Sequence, residues 1–150
     1  MKARFLLLAT LVVLAGCQAA SNVKTVTVSG TATAPSWSNE MTLPTNVAVS
    51  ATSGGHSYST SVPFNGSSGG FSFSIPDVPT GTYSLVITFP TTNLLIAEGT
   101  TYSLNGGTSL PVSSEGGSGS SAPYTYTIDI NNITINADTT VNLSLPNNFS

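Results

Sequence analysis

The chain has 150 residues, with three Lys or Arg, six Asp or Glu, one His and one Cys, so only 6% of it is charged. That length holds one domain with a sizeable core. So few cations argue against a phosphate-rich partner such as nucleic acid, and the lone cysteine rules out an internal disulfide.

Residues 1–17 read as an export signal and stand apart from the fold: Lys2 and Arg4 form a charged start, and 5–14 an apolar run too short for a comfortable membrane span. The four residues that follow on this run, Leu14-Ala15-Gly16-Cys17, resemble the lipobox of bacterial lipoproteins. The resemblance implies a signal peptide at 1–16, cleavage before Cys17, a diacylglyceryl thioether on its sulfur, and a lipidated tether over 17–23. Two or more acyl chains anchor stably where one is marginal. The expected location is then the bacterial cell envelope, lipid-anchored through Cys17. With Gln18 rather than Asp after the cysteine, it is the outer membrane if the host is Gram-negative. Loss of the signal leaves Lys24 as the one cation against Glu40, Asp77, Glu98, Glu115, Asp129 and Asp138.

The expected domain covers 24–150. Residues 24–33 alternate around Val26 and Val28 and predict a first strand, in which Gly30 marks a bulge or a close approach. A loop with two prolines and Trp37 follows over 34–45. Val47, Val49 and Ala51 mark a second strand. Ser53-Gly54-Gly55 is its turn, and 56–62 is a partner poor enough in apolar residues to lie at an edge. The strongest pattern is 71–89, with Phe71, Phe73 and Ile75, then Tyr83, Leu85, Ile87 and Phe89, at every second position. It predicts a hairpin with one apolar face, stiffened by Pro76 and Pro79, with Gly81 supplying a positive φ.

Past Phe89 the pattern weakens to one or two short strands around Leu94–Ile96, Tyr102 and Leu104. Residues 105–122, with SSEGGSGSS, hold too few apolar groups to offset ordering entropy and predict a mobile loop. Alternation returns with Tyr124, Tyr126, Ile128, Ile130, Ile133, Ile135, Val141, Leu143 and Leu145, and the last strand should lie beside the first ones. No window carries a helical pattern outside the signal. The expectation is an all-β Greek-key β-sandwich of about seven strands.

Three stretches, 28–33 (VSGTAT), 46–51 (NVAVSA) and 70–85 (GFSFSIPDVPTGTYSL), together resemble carboxypeptidase regulatory-like domains. The resemblance spans about 26–89 and implies a transthyretin-like or Cna-B-like sandwich. Asp77, the long first loop and the 105–122 insertion depart from that pattern.

Candidate sites are sparse. His56 beside Gly54-Gly55 has no accompanying nucleophile motif and reads as a solvated turn residue. The acids stand singly; Asp129, Asn131 and Asp138 make at most a loose group, and no metal or other cofactor is expected. The Cna-B-like resemblance raises an isopeptide between Lys24 and Asn142, against which the opposite parity of Asn142 argues. Trp37, in a loop, is the possible ligand contact. The expected role is non-enzymatic: an envelope module with a structural or protein-interaction function. The alternative is a carbohydrate-binding accessory module using Trp37 and polar loops. A small hydrolase ranks last.

Overall fold

Residues 22–33, 44–65, 70–92, 99–118 and 124–146 are described by a computed structural model of the chain. They form ten strands and no helix: β1 (Thr25–Thr33), β2 (Asn46–Ser53), β3 (His56–Pro63), β4 (Phe71–Pro79), β5 (Gly81–Thr92), β6 (Thr101–Leu104), β7 (Leu110–Pro111), β8 (Ser114–Ser118), β9 (Tyr124–Ile135) and β10 (Thr139–Ser144). Two five-stranded sheets result, in the orders β4-β1-β10-β6-β7 and β3-β2-β5-β9-β8. Their inner faces carry the alternating apolar residues and bury them against each other, so the fold is an all-β sandwich.

The central 71–89 stretch is not a hairpin. β4 pairs with β1 in the first sheet, while β5 pairs with β2 and β9 in the second, so the two strands form an arch between layers. Their apolar faces meet across the core instead of lying side by side. Phe71 and Phe89 pack edge to face at 5.9 Å, and Phe64 and Tyr126 pack on Phe89 at 6.1 and 6.2 Å. Pro79 offers no N–H to a returning strand, and the Thr80 N–H donates to the Lys24 carbonyl at 3.0 Å, which commits the corner to the first sheet. Gly81 does not take a positive φ; Asp77 does, at 56°. Tyr83 secures the corner by donating its hydroxyl to the Pro79 carbonyl at 2.8 Å.

The positive φ of Asp77 belongs to a bulge, with Pro76 and Asp77 together facing Thr27. Thr27 therefore turns its N–H to the Asp138 carboxylate, 2.9 Å away in the β9–β10 turn. A second bulge at Asn131 and Asn132, with φ 61° at Asn132, shifts β9 by one residue so that Ile130 and Ile133 both face inward.

The last strand lies beside the first, as the pattern predicts. β10 runs parallel to β1 and antiparallel to β6, at the middle of its sheet. Gly30 permits this: a Cβ there would sit 1.9 Å from the Val141 carbonyl oxygen and 2.7 Å from the Phe73 ring. Close approach, rather than a bulge, is its role. The Phe73 ring instead covers the bare backbone.

The 105–122 stretch carries two strands where composition argues for a loop. Leu110–Pro111 (β7) pairs with β6 and Ser114–Ser118 (β8) with β9, so one extended segment passes from the edge of the first sheet to the edge of the second. Val112 and Ser113 bridge the crossing by donating backbone N–H groups to Thr100 and Asp129 carbonyls at 3.3 and 2.8 Å. The segment is held by main-chain bonds, which need little apolar side-chain area.

Candidate functional site

Two grooves of similar size lie in different parts of the sandwich. The larger, about 460 Å³, is bounded by the β2–β3 turn, the start of β5 and the β9 bulge. Its turn forms because Gly54 and Gly55 take φ of 54° and 82°, the left-handed values a two-residue hairpin needs. His56 follows directly and is exposed in the groove, with Ser57, Thr82, Ser84 and Asn132 around it. The polar groups are not all free: the Thr52 hydroxyl donates to the Ser84 carbonyl at 3.3 Å, and the Tyr83 hydroxyl is spent on Pro79. Among the described residues no acidic side chain lines the groove, so none of them orients His56 as a base. Its neutral hydroxyls, amide and imidazole can hold an uncharged polar group by hydrogen bonds.

The second groove, about 450 Å³, is lined by Thr31, Ala32, Thr33, Pro63, Asn65, Gly70, Phe71 and Ser72. Among the described residues its lining too is uncharged. The 34–43 connection, which carries Trp37, departs from its rim at Thr33.

Cys17 and Trp37 lie outside the described residues. The three polar residues of the loose group are each bonded elsewhere, not to one another. Asp129 accepts from the Ser114 hydroxyl at 3.0 Å, the Asn131 N–H donates to Ser113 Oγ at 2.8 Å, and Asp138 caps Thr27. Among the described residues no group of three His, Cys, Asp or Glu could hold a metal. Lys24 and Asn142 also go separate ways. The Lys24 ammonium is exposed and donates to the Asn136 carbonyl at 3.2 Å, whereas the Asn142 amide oxygen accepts from Thr31 Oγ1 at 3.0 Å. Lys24 shares the parity of the inward Val26 and Val28, but β1 begins only at Thr25 and the Lys24 side chain stays exposed.

The residue that sequence reasoning passed over is Glu115. It sits on the edge strand β8 opposite Ile128, whose side chain is fully buried, and so turns its carboxylate toward the interior. There the carboxylate accepts from the Gly99 and Thr100 N–H groups, the latter at 3.1 Å, and from the Tyr126 hydroxyl at 3.1 Å. Burial pushes its pKa up, but these donors and the nearby Thr100 hydroxyl outweigh it and hold the carboxyl below its ordinary value. The buried Thr100 hydroxyl itself makes no bond of good geometry. Glu115 thus ties the start of β6 to the far sheet. Its signal in the sequence is a lone acid inside a Gly-Ser run, a pattern that ordinarily marks a solvated loop.

No protein-family model, curated protein or solved structure matches the chain.

Proposed function

We propose that the chain is a non-enzymatic, lipid-anchored module of the bacterial cell envelope with a structural or protein-interaction role, its sheets joined in a Greek-key, transthyretin-like manner. One observation carries the reading: a complete Leu14-Ala15-Gly16-Cys17 signature stands only a few residues before the first strand, β1 at Thr25. Residues 17–23 then form a tether that extends to about 25 Å at most, at about 3.5 Å per residue. The sandwich is held close to the lipid surface and presents its grooves and edges there.

The intact mass of the protein from its native membrane fraction tests this. The expected mass is that of residues 17–150 plus at least a diacylglyceryl group, and Cys17→Ser should abolish the lipid and the membrane retention. A lipid-free chain in the soluble fraction would sink the reading. A second reading, carbohydrate binding through Trp37, is favoured by Thr33, the last described residue before Trp37 in the chain, which lines a groove whose described residues are uncharged and bear hydroxyls. Trp37→Ala should then lose glycan retention; unchanged retention rejects it.

A further inference from the structure

Four strands end the two sheets, and three of them carry features that discourage another strand from pairing. β4 is interrupted by Pro76, the Asp77 bulge and Pro79. β7 is two residues long and ends in Pro111. β8 turns the Glu115 charge inward and continues into Gly116 and Gly117. The fourth, β3, has no bulge, glycine or inward charge. It pairs with β2 over eight consecutive residues with no register shift, has no Asp, Glu, Lys or Arg, and meets its only proline at its last position, Pro63.

Hairpin geometry shows which of its backbone groups are unused. Ser53 and His56 flank the two-residue turn and make the first hydrogen-bonded pair, so His56, Tyr58, Thr60 and Val62 address β2. Ser57, Ser59 and Ser61 therefore point their N–H and C=O groups away from the sheet. None of the three makes a further backbone hydrogen bond in the described structure. Their side chains are exposed, and those of Tyr58, Thr60 and Val62 are half-buried.

We infer that β3 is the surface through which two copies of this chain pair, strand to strand and antiparallel, about a two-fold axis at Ser59. This placement sets Ser59 opposite Ser59 and Ser57 opposite Ser61 of the second copy, and forms about six main-chain hydrogen bonds. About that axis serines meet serines on one face of the sheet, and Tyr58 faces Thr60 of the second copy on the other, an aromatic with a β-branched residue. Cross-strand Ser and Thr pairs are favourable, and no like charges face each other, although the rest of the chain is rich in acids over bases. The pairing extends the second sheet to ten strands across the dimer. It does not depend on the lipid at Cys17.

Sedimentation of the full protein in a non-ionic detergent tests it, with the intact mass taken on the same sample so that loss of the anchor and loss of pairing are read separately. A concentration-dependent dimer is expected. Ser59→Lys, which places two ammonium groups at the axis, should weaken it at least tenfold while leaving unchanged the thermal midpoint read at a concentration where both proteins are monomeric. Ser59→Cys should form a reducible crosslinked dimer under mild oxidation when the unsubstituted chain does not. Ser57→Cys should crosslink only when mixed with Ser61→Cys. A chain that stays monomeric at the highest attainable concentration, or a dimer indifferent to Ser59→Lys and without the Ser59→Cys crosslink, overturns the inference. So does a β3 edge that captures a different envelope protein without pairing with itself.

Discussion

Along one side of the sandwich runs β3, an unbroken strand whose outer backbone groups have no hydrogen-bond partner among the described residues. Along the other, the segment that forms β7 and β8 crosses from sheet to sheet, with a carboxylate tucked beneath it. The first side spends its hydrogen-bonding capacity outward. The second spends it on closing the molecule, and the difference shows that an edge is made safe by where its polar groups point as much as by how many charges it bears. Glu115 is most of that difference: one inward acid satisfies the N–H groups of Gly99 and Thr100 and the hydroxyl of Tyr126.

The comparison breaks outright if the sheet beneath it is lost. Gly30→Val should do this, because its Cβ would overlap the Val141 carbonyl at 1.9 Å and force β1 from β10; no cooperative unfolding transition is expected by circular dichroism. Next in size is Glu115→Gln, which removes the charge that the buried donors address. A loss of about 1 kcal/mol in urea denaturation is expected, near the low end for bonds to a charged group because the site is partly open to solvent.

The same substitution should alter the acid limb. The folded carboxyl binds its proton less readily than an ordinary one at about 4.5, so its stabilisation is present above that value and is lost as pH falls through the lower folded value. Between those two values, stability should drop less steeply in Glu115→Gln than in the parent. Tyr83→Phe, which unties the hydroxyl from Pro79, should cost about 1 kcal/mol in the same measurement. Ser59→Lys, on the outward side, should change the stability of the single chain by less than about 0.5 kcal/mol. A larger loss there would mean that β3 is already committed within the fold.

The sequence makes the inward faces of most strands plain, whereas its two bulges become readable only beside the structure. Alternation slips by one residue between Ile75 and Val78 and again between Ile130 and Ile133, and at both slips the structure inserts an extra residue. Periodicity does not say which sheet a strand joins, since two apolar faces across a core and two within one sheet have the same spacing. That is why 71–89 reads as a hairpin and folds as an arch. The 110–118 crossing is hidden for another reason: strands at the side of a sandwich are held by backbone groups, which no residue type advertises. Of the candidate site, the position of His56 beside an open turn is legible, but the convergence of Gly99, Thr100 and Tyr126 on Glu115 joins residues far apart in the chain. Cys17 and Trp37, which bear the functional readings, rest on sequence because they fall outside the described residues.

The position of β10 has a consequence for the order in which the chain can fold. The strand completed last, Thr139–Ser144, is the middle member of its sheet, wedged between β1 and β6. A polypeptide that emerges from its amino end, from a ribosome or through a narrow export channel, can assemble β2, β3 and β5 early. It cannot join β1 to β6 until Thr139–Ser144 has come through. The centre of the first sheet therefore waits for β10, whereas the β4–β1 pair at its edge can form before that strand arrives.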